Sequence, residues 1–344
     1  MQEGQANIRV AMVGCGAVAR WHASTLHRIP GVEIVALVDP SQENLNAMVK
    51  WIPQLSNVPT FSGPEEMFKA IGPDAVEICT PHTLHHEHVV MALEHGAHVL
   101  CEKPLACSVE HAQDIKQRAQ DTGKVVMVSY QRRLDPGYNY IKNVITSGEI
   151  GDIQTISVIC CQAWKKGTTG TWRQNPELSG GGMLMDSGSH LADVLLWLTS
   201  QPVESVYATV DNCDTPVDIN STSTIKFTNG TQAQFTVNGN LPITWIEEVL
   251  IIGTEGILKY ESDPQHPWRT GRITHSKDGN LIQPLRLQMY SSPDEAWIAA
   301  IRGEGENPSP PDAGVRVAEL TNAIYESART GQAVKISDIS PVGQ

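Results

Sequence analysis

The chain has 344 residues, of which 40% are hydrophobic and 18% are charged, a length and balance that predict a folded soluble protein of two domains. Aspartate and glutamate total 38 against 25 for lysine and arginine, a net charge of −13, which argues against nucleic acid or an anionic membrane as the main partner. The seven cysteines include no C-x-x-C pair, so we expect neither a disulfide framework nor a zinc ribbon.

Short apolar runs alternate with stretches of helical spacing over the first 130 residues. The runs of strand length are Ile8–Val13, Glu33–Val38, Ala75–Cys79, His98–Cys101 and Val125–Val128, and the helical stretches include His85–Gly96 and Val109–Gly123. This alternation is typical of βαβ units that build a parallel sheet covered on both faces. It predicts an α/β fold with an amino-terminal, doubly wound Rossmann domain.

The second half of the chain has the pattern of antiparallel strands. Asn229-Gly230 lies between the apolar runs Thr222–Phe227 and Ala233–Val237, a strong hairpin signal, and two further hairpins are predicted around residues 253–256 and 277–280. Helices are expected near residues 184–199 and 313–330. We therefore predict two domains, a dinucleotide-binding domain over residues 1–129 and an α/β domain with an open, mostly antiparallel sheet over residues 130–344.

A glycine-rich loop follows the first predicted strand and opens the first helix. It reads Gly14-Cys15-Gly16-Ala17-Val18-Ala19, which meets the needs of a tight turn, a close backbone approach to a pyrophosphate and close helix–strand packing. The amino terminus of the helix offers N–H groups and a positive dipole to the phosphates. The loop therefore predicts a dinucleotide site.

Asp39 ends the second predicted strand, 20 residues after Ala19. An acid at this position accepts hydrogen bonds from the adenosine ribose hydroxyls, and its charge repels a 2′-phosphate. Residues 40–43 contain neither lysine nor arginine to receive such a phosphate. The sequence therefore favours NAD over NADP.

Two further segments carry a resemblance to a known family. They are residues 78–104, which include Thr80-Pro81-His82, His85 and Glu102-Lys103-Pro104, and residues 180–193, which include Asp186 and His190. With the glycine loop, they resemble the glucose–fructose oxidoreductase, inositol dehydrogenase and MocA (Gfo/Idh/MocA) family. The resemblance implies an amino-terminal Rossmann domain, a carboxy-terminal domain with an open sheet, a nicotinamide cofactor and a homodimer or homotetramer.

The glycine loop and the resemblance together identify candidate cofactor-binding residues. They are Gly14, Gly16, Ala17, Val18, Ala19, Asp39, Thr80, Pro81, His82, His85, Glu102, Lys103 and Gln131. His82 stands where many relatives carry asparagine, a departure that affects how this loop meets the nicotinamide. Glu102 is expected beside the nicotinamide ribose.

The candidate catalytic residues are Lys103, Asp186 and His190. Lys103 follows a predicted parallel strand, at the carboxyl end where ligands of open α/β sheets bind, and the resemblance implies that it binds the substrate hydroxyl. Asp186 and His190 are four apart and share one face of a helix. Histidine suits proton abstraction because it ordinarily titrates near neutral pH. The hypothesis is that His190 takes the hydroxyl proton, Asp186 orients the substrate or the imidazole, and Lys103 polarises the oxygen.

The loop from Gln162 to Gly182 is expected to contribute to the substrate pocket. Aromatic rings stack on the apolar faces of sugars and cyclitols, and charged or amide side chains bind hydroxyls. Trp172 could equally be a core residue. The candidate substrate-binding residues are Lys103, Arg132, Trp172, Arg173, Asp186 and His190.

The sequence as a whole predicts an NAD-dependent dehydrogenase of a small polyhydroxylated substrate, a sugar, sugar derivative or cyclitol. Two alternatives stay open: a glycoside-cleaving enzyme that uses transient oxidation, and a non-catalytic, ligand-sensing relative. The histidines between His82 and His88 do not form the zinc motif H-E-x-x-H, and no metal is expected. Neither a signal peptide nor an apolar run of membrane-spanning length is recognised, so a cytoplasmic location is expected.

Overall fold

The structure is a computed structural model that describes residues 7–242, 245–267, 269–284, 287 and 291–339. These residues form two compact units. The first contains the described residues up to Ala106, His111–Ser129 and Ser291–Asp312. The second contains Cys107–Glu110, the described residues between positions 130 and 290, and those from Ala313 onward.

The first unit is built on a six-stranded parallel sheet with the strand order β3-β2-β1-β4-β5-β6. Its strands are β1 (Ile8–Val13), β2 (Val32–Val38), β3 (Thr60–Phe61), β4 (Ala75–Ile78), β5 (His98–Cys101) and β6 (Val126–Val128). The helices between and after these strands, up to residue 122, are α1 (Ala17–Leu26), α2 (Gln42–Trp51), α3 (Pro64–Ile71), α4 (His85–Glu94) and α5 (Val109–Thr122). The predicted Rossmann sheet is confirmed, and only the two-residue β3 is too short to show a pattern in the sequence.

Strand β4 shows how completely this sheet is covered. All four of its residues are buried, as expected for a parallel strand packed on both faces. Three of them are apolar, but the third is Glu77, whose side chain is 1% exposed. A buried carboxyl group in such a strand requires polar partners.

The second unit contains a nine-stranded sheet with the order β14-β13-β12-β11-β7-β10-β9-β8-β15. The strands of this sheet are β7 (Ile153–Gln162), β8 (Val203–Asp211), β9 (Asn220–Phe227), β10 (Gln232–Asn238), β11 (Trp245–Gly253), β12 (Gly256–Glu261), β13 (Arg272–Lys277), β14 (Asn280–Ile282) and β15 (Val334–Lys335). The helices of the unit up to residue 199 are α6 (Pro136–Thr146), α7 (Trp164–Thr168), α8 (Pro176–Ser179) and α9 (Ser189–Thr199). The described pairs are antiparallel except β7 with β10. The predicted, mostly antiparallel sheet is confirmed.

The predicted hairpins lie where the turn residues indicated. β9 and β10 are joined through Asn229-Gly230, with Gly230 at φ +92°, and β13 and β14 through Asp278-Gly279, both at positive φ. In β9 buried and outward residues alternate along the whole strand, as expected when one face of a sheet packs on the core.

After β14 the chain returns to the first unit over Ser291–Asp312. Helix α10 (Pro293–Arg302) begins at a capping box formed by Ser292 and Glu295, and α11 (Pro311–Thr330) follows it. Between these helices, the Asn307 side chain donates to the carbonyl of Val126 at 2.8 Å. This segment therefore covers the end of the parallel sheet at β6. Among the described residues, no helix combines the length and apolar character needed to cross a membrane.

Candidate cofactor and substrate sites

The glycine loop is folded tightly against the end of β4. Gly14 has φ +89°, and a Cβ there would lie 2.7 Å from the backbone carbonyl of Cys79, so only glycine fits. A Cβ on Gly16, at the amino-terminal cap of α1, would meet nothing within 4 Å. Ala19 is fully buried, whereas Ala17 and Val18 are exposed. The loop thus packs on one side and leaves its helix terminus open to a phosphate.

Asp39 lies directly beside this loop. Its Oδ2 accepts the backbone N–H of Cys15 at 2.8 Å, and its Oδ1 accepts that of Ser41 at 2.8 Å. The Asn44 amide lies 3.1 and 3.2 Å from the two carboxylate oxygens. Burial, followed by the charge of Asp39, raises the pKa of the Cys15 thiol to about 12, so the thiol stays protonated at neutral pH. The buried acid and the open glycine loop fit the ribose and pyrophosphate of a dinucleotide.

His85 connects the loops that follow β4 and β5. Its side chain is fully buried; Nδ1 lies 2.7 Å from the carbonyl oxygen of Pro104, and Nε2 lies 2.9 Å from that of Thr80. His82 is also buried, with its ring edge-on to His85 at 5.8 Å between centroids. Pro81, between Thr80 and His82, is half-buried. The candidate residues of these two loops are therefore held together by His85.

Glu102 is joined to the residue that follows it and to α1. Its Oε2 accepts the backbone N–H of Lys103 at 3.3 Å, and its Oε1 lies 3.1 Å from Nε2 of His22. Burial alone would raise the pKa of Glu102, but the hydrogen bond and charge of His22, with Lys103 and Ser129, lower it to about 2. Lys103 itself is half-buried.

Four side chains, which we call the His22 cluster, surround this contact: His22, Glu77, Glu102 and Asp294. Nδ1 of His22 lies 3.0 Å from Asp294 Oδ1 and 3.0 Å from Glu77 Oε1. The members come from α1, β4, the end of β5 and α10, so the topology of the first unit brings them together. Three of them, His22, Glu77 and Asp294, were not among the candidate residues predicted from the sequence. Glu77, a charged residue inside an apolar run, was the one available signal.

Asp186 and His190 lie at the start of the central helix of the second unit. Both side chains are buried, at 4% and 5% exposure. Residues Leu184–Gly188 form a π-helical turn before α9, with the N–H of Gly188 bound to the carbonyl of Met183. The π turn adds a residue to the helical repeat, and the shared face of Asp186 and His190 stays a prediction.

Asp186 is bound by two side chains of the preceding loop. Its Oδ2 accepts the Trp164 indole N–H at 2.8 Å and the Arg173 Nε–H at 2.9 Å. The Arg173 guanidinium lies 4.5 Å from the centre of the Trp172 ring, a cation–π distance. The structure thus brings Trp172, Arg173 and Asp186 together. Trp164 was not among the candidate site residues, although its loop was.

Arg132 is engaged within the second unit. It binds Glu247 through two nitrogens, with N–O distances of 2.6 and 2.9 Å, and lies over the Trp245 ring. Burial would lower the pKa of Arg132, but the Glu247 carboxylate outweighs it and raises the pKa. The preceding residue, Gln131, is exposed. Arg133 forms a similar buried pair with Asp193.

Asp218 anchors the glycine-rich segment before Asp186. Its Oδ1 accepts the N–H of Gly182 and the Tyr325 hydroxyl, both at 2.6 Å, and its Oδ2 accepts the N–H of Leu184 at 2.8 Å. A Cβ at Gly182 would overlap the Asp218 carbonyl. No motif in the sequence pointed to Asp218, because its partners are 34 and more residues away.

Comparison with known proteins gives matches over most of the chain. Residues 8–130 match the family described as "Oxidoreductase family, NAD-binding Rossmann fold", and residues 138–259 match the "GFO/IDH/MocA C-terminal domain". The D-glucoside 3-dehydrogenase of Escherichia coli (strain K12) is 28% identical, with 96% of this chain and 97% of that protein covered. The inositol 2-dehydrogenase of Rubrobacter xylanophilus is 25% identical, with 99% and 96% covered.

A solved structure shows the same fold. The scyllo-inositol dehydrogenase of Lactobacillus casei, solved with NAD(H) and scyllo-inositol, superimposes with a TM-score of 0.79 at 22% identity. The alignment covers 96% of this chain and 99% of that one. At this identity the likeness establishes the shared architecture of both sheets.

Proposed function

This chain belongs to the Gfo/Idh/MocA oxidoreductase family, and we propose that it transfers a hydride between a secondary alcohol of a sugar, sugar derivative or cyclitol and a nicotinamide. It is a dehydrogenase of CH–OH groups with an NAD-binding Rossmann fold, and we propose NAD as its cofactor. The relatives named glucoside 3-dehydrogenase and inositol 2-dehydrogenase support this substrate class, because both names specify a ring that carries secondary hydroxyls. We further propose that the chain acts as a homo-oligomer.

The observation that carries the proposal is the burial of Asp186 and His190 at the start of a largely apolar helix. Leu184, Leu191 and Val194 are wholly buried around them. Ionisable side chains are rarely buried among apolar neighbours unless they are paired or functional. Arg173 places a positive charge beside Asp186. Together the two side chains can bind a polar ligand.

We assign one role to each reacting side chain. His190 takes the proton of the substrate hydroxyl as the carbon is oxidised. Lys103 polarises the hydroxyl oxygen, and Asp186, fixed by Trp164 and Arg173, orients the substrate. The Trp172 ring offers a face for the apolar side of a sugar or cyclitol, and Arg173 offers donors to its hydroxyls.

The chain's own residues support NAD as the cofactor. Bound NAD supplies the hydride acceptor for the oxidation. The backbone of Gly14–Ala19 would hold the pyrophosphate and Asp39 the adenosine ribose, because the acid is buried beside the loop and carries a charge unfavourable to a 2′-phosphate. Glu102, Thr80 and His82 remain candidates for the nicotinamide end.

The test is a screen for NADH formation by the purified protein with NAD⁺ and free sugars, inositols, glycosides and sugar nucleotides. Lys103→Met and His190→Asn should abolish turnover while NADH still binds, as measured by its fluorescence. Lys226→Met, an exposed lysine in the second unit, serves as the control. Turnover that survives Lys103→Met would contradict the assignment.

Two other outcomes would reject the proposed reaction. Glycoside cleavage without net NADH would indicate transient oxidation, and tight NADH binding with no turnover of any compound would indicate a ligand sensor. Both are read in the same screen by following product and NADH together.

A further inference from the structure

We propose that His22 is a positioning residue of this dehydrogenase, which holds the Glu102 carboxylate and, through it, the backbone of Lys103. The inference deepens the proposed function, because the value of holding Lys103 rests on its proposed role. The physical linkage of these three residues does not depend on that role and can be tested separately.

The linkage is a continuous series of polar contacts inside the first unit. Asp294 Oδ1 and Glu77 Oε1 lie 3.0 Å from His22 Nδ1, His22 Nε2 lies 3.1 Å from Glu102 Oε1, and Glu102 Oε2 accepts the N–H of Lys103 at 3.3 Å. The His22 side chain is 8% exposed and that of Glu102 is 13% exposed. Little water can therefore screen these contacts or replace them.

Both ring nitrogens of His22 face carboxylate oxygens, which is the arrangement of an imidazolium that donates on both sides. Burial would lower the pKa of His22, but Glu77 and Asp294 outweigh it and raise the pKa. Burial raises the pKa of Glu77, whose Oε2 has no hydrogen-bond partner in the described part of the chain. The protonated His22 ring and the Glu102 carboxylate, 3.1 Å apart, stabilise each other.

Two other ionisable groups beside the cluster, Cys79 and Lys103, are consistent with an ion pair between His22 and Glu102. The Cys79 thiol lies 3.5 Å from Glu77 Oε1. Burial, followed by the charges of Glu77 and Glu102, raises the pKa of Cys79, so the thiol stays neutral. Lys103 adds a second positive charge beside Glu102. The Glu102 carboxylate therefore has cations on two sides, and His22 is itself held by two further buried acids, Glu77 and Asp294.

The cluster could instead be read as a metal site. Ligand atoms of His22, Glu77 and Cys79 lie within 4.8 Å of one another. A metal ligand, however, must present a nitrogen lone pair, and both nitrogens of His22 already face hydrogen-bond acceptors. The contacts thus favour a proton over a metal, and metal analysis of the purified protein distinguishes the two.

The kinetic test is a double-mutant cycle between His22→Gln and Glu102→Gln. We expect His22→Gln to lower kcat on the order of 100-fold, because loss of the contact misplaces Lys103. When Glu102→Gln is already present, adding His22→Gln should lower kcat by less than about a further threefold. The acid limb of the kcat/KM profile should also move to higher pH, because Glu102 loses its buried cation. Additive losses, or an unchanged profile, would show a merely structural role. His27→Gln, at the exposed end of α1, is the matched control.

Two readouts are independent of turnover. In the ¹⁵N spectrum of histidine-labelled wild-type protein, one ring should keep the imidazolium pattern from pH 6 to 9, and this signal should disappear in His22→Gln. Hydrogen exchange should become faster at the Lys103 amide in His22→Gln but not in His27→Gln. If His22→Gln does not fold, Asp294→Asn replaces it. A neutral ring at pH 7 or a stoichiometric bound metal would overturn the proposal. If the proposed function fails instead, these readouts still hold.

Discussion

Asp39 accepts the backbone N–H of Cys15 at 2.8 Å, so the acid after β2 and the glycine loop after β1 are fixed to each other within the first unit. The two residues are 24 apart in the chain. The groups proposed for the ribose and the pyrophosphate are therefore arranged before a cofactor binds, which reduces the ordering cost of binding.

Asp39→Asn should weaken the preference for NAD while leaving the loop in place. The amide oxygen can still accept the Cys15 N–H, but the negative charge is removed. A hydrogen bond to a charged group contributes about 1.5–3 kcal/mol, so the ratio of kcat/KM for NAD to that for NADP should fall by on the order of tenfold or more. Asp121→Asn is the control, because it removes a negative charge at an exposed position of the same unit. An unchanged ratio in Asp39→Asn would argue against the assigned ribose contact.

Alanine at Gly14 should lower the stability of the fold, whereas alanine at Gly16 should lower the affinity for NADH. Gly14→Ala forces a positive φ, which costs about 1–2 kcal/mol, and places its Cβ against the Cys79 backbone, so the Tm should fall. Gly16 has an ordinary φ of −68° and open space before it, so Gly16→Ala should keep its Tm but lose NADH affinity as the methyl group occupies the phosphate approach. Thermal unfolding and NADH fluorescence titration measure both. Unaltered NADH affinity in Gly16→Ala would count against the phosphate site.

The buried pair of Arg132 and Glu247 should be important for stability. Glu247→Gln leaves the Arg132 charge without its carboxylate, and breaking a buried pair in this way costs about 3–5 kcal/mol. Urea unfolding measures the loss. Glu204→Gln breaks an exposed pair with Lys226, whose side chains are 42% and 55% exposed, and should change the free energy of unfolding by less than about 1 kcal/mol. Equal effects of the two variants would contradict this ranking.

Glu102 should make the fold sensitive to acid. Its pKa of about 2 in the fold lies below the ordinary value of 4.5, so the ionised carboxylate stabilises the fold above pH 4.5, and this stabilisation is lost as the pH falls towards 2. Glu102→Gln has no carboxylate to protonate. The free energy of unfolding of this variant should therefore fall less steeply than that of the wild type between pH 4.5 and 2. Parallel curves would mean that Glu102 titrates normally.

Much of the fold could be predicted because its signals are local. The runs that became β1, β4 and β5 are mostly apolar, and Asn229-Gly230 marks its hairpin through its own backbone preferences. The capping box at Ser292 was equally visible, but it was not recognised as the start of α10. Local patterns of this kind depend on neighbouring residues, which a sequence displays directly.

The contacts around the candidate sites could not be predicted in the same way. His22 and Asp294 are 272 residues apart, and no spacing rule relates them. The π turn before α9 departs from the regular helix expected there, and no residue in Leu184–Gly188 predicts it. Trp164 stood in a loop already chosen for its aromatic residues, but its bond to Asp186 depends on the folded loop.

The first unit is not continuous along the chain, because Ser291–Asp312 supplies α10 and the strip beside β6. A ribosome therefore releases the glycine loop and the parallel strands well before it makes Asp294. During that interval His22, Glu77 and Glu102 have emerged without their fourth member. The nucleotide-binding unit can acquire its complete interior only after residues 291–312 have been made. A fragment cut after Ser129 would consequently carry the dinucleotide motif without the helix that completes its buried charges.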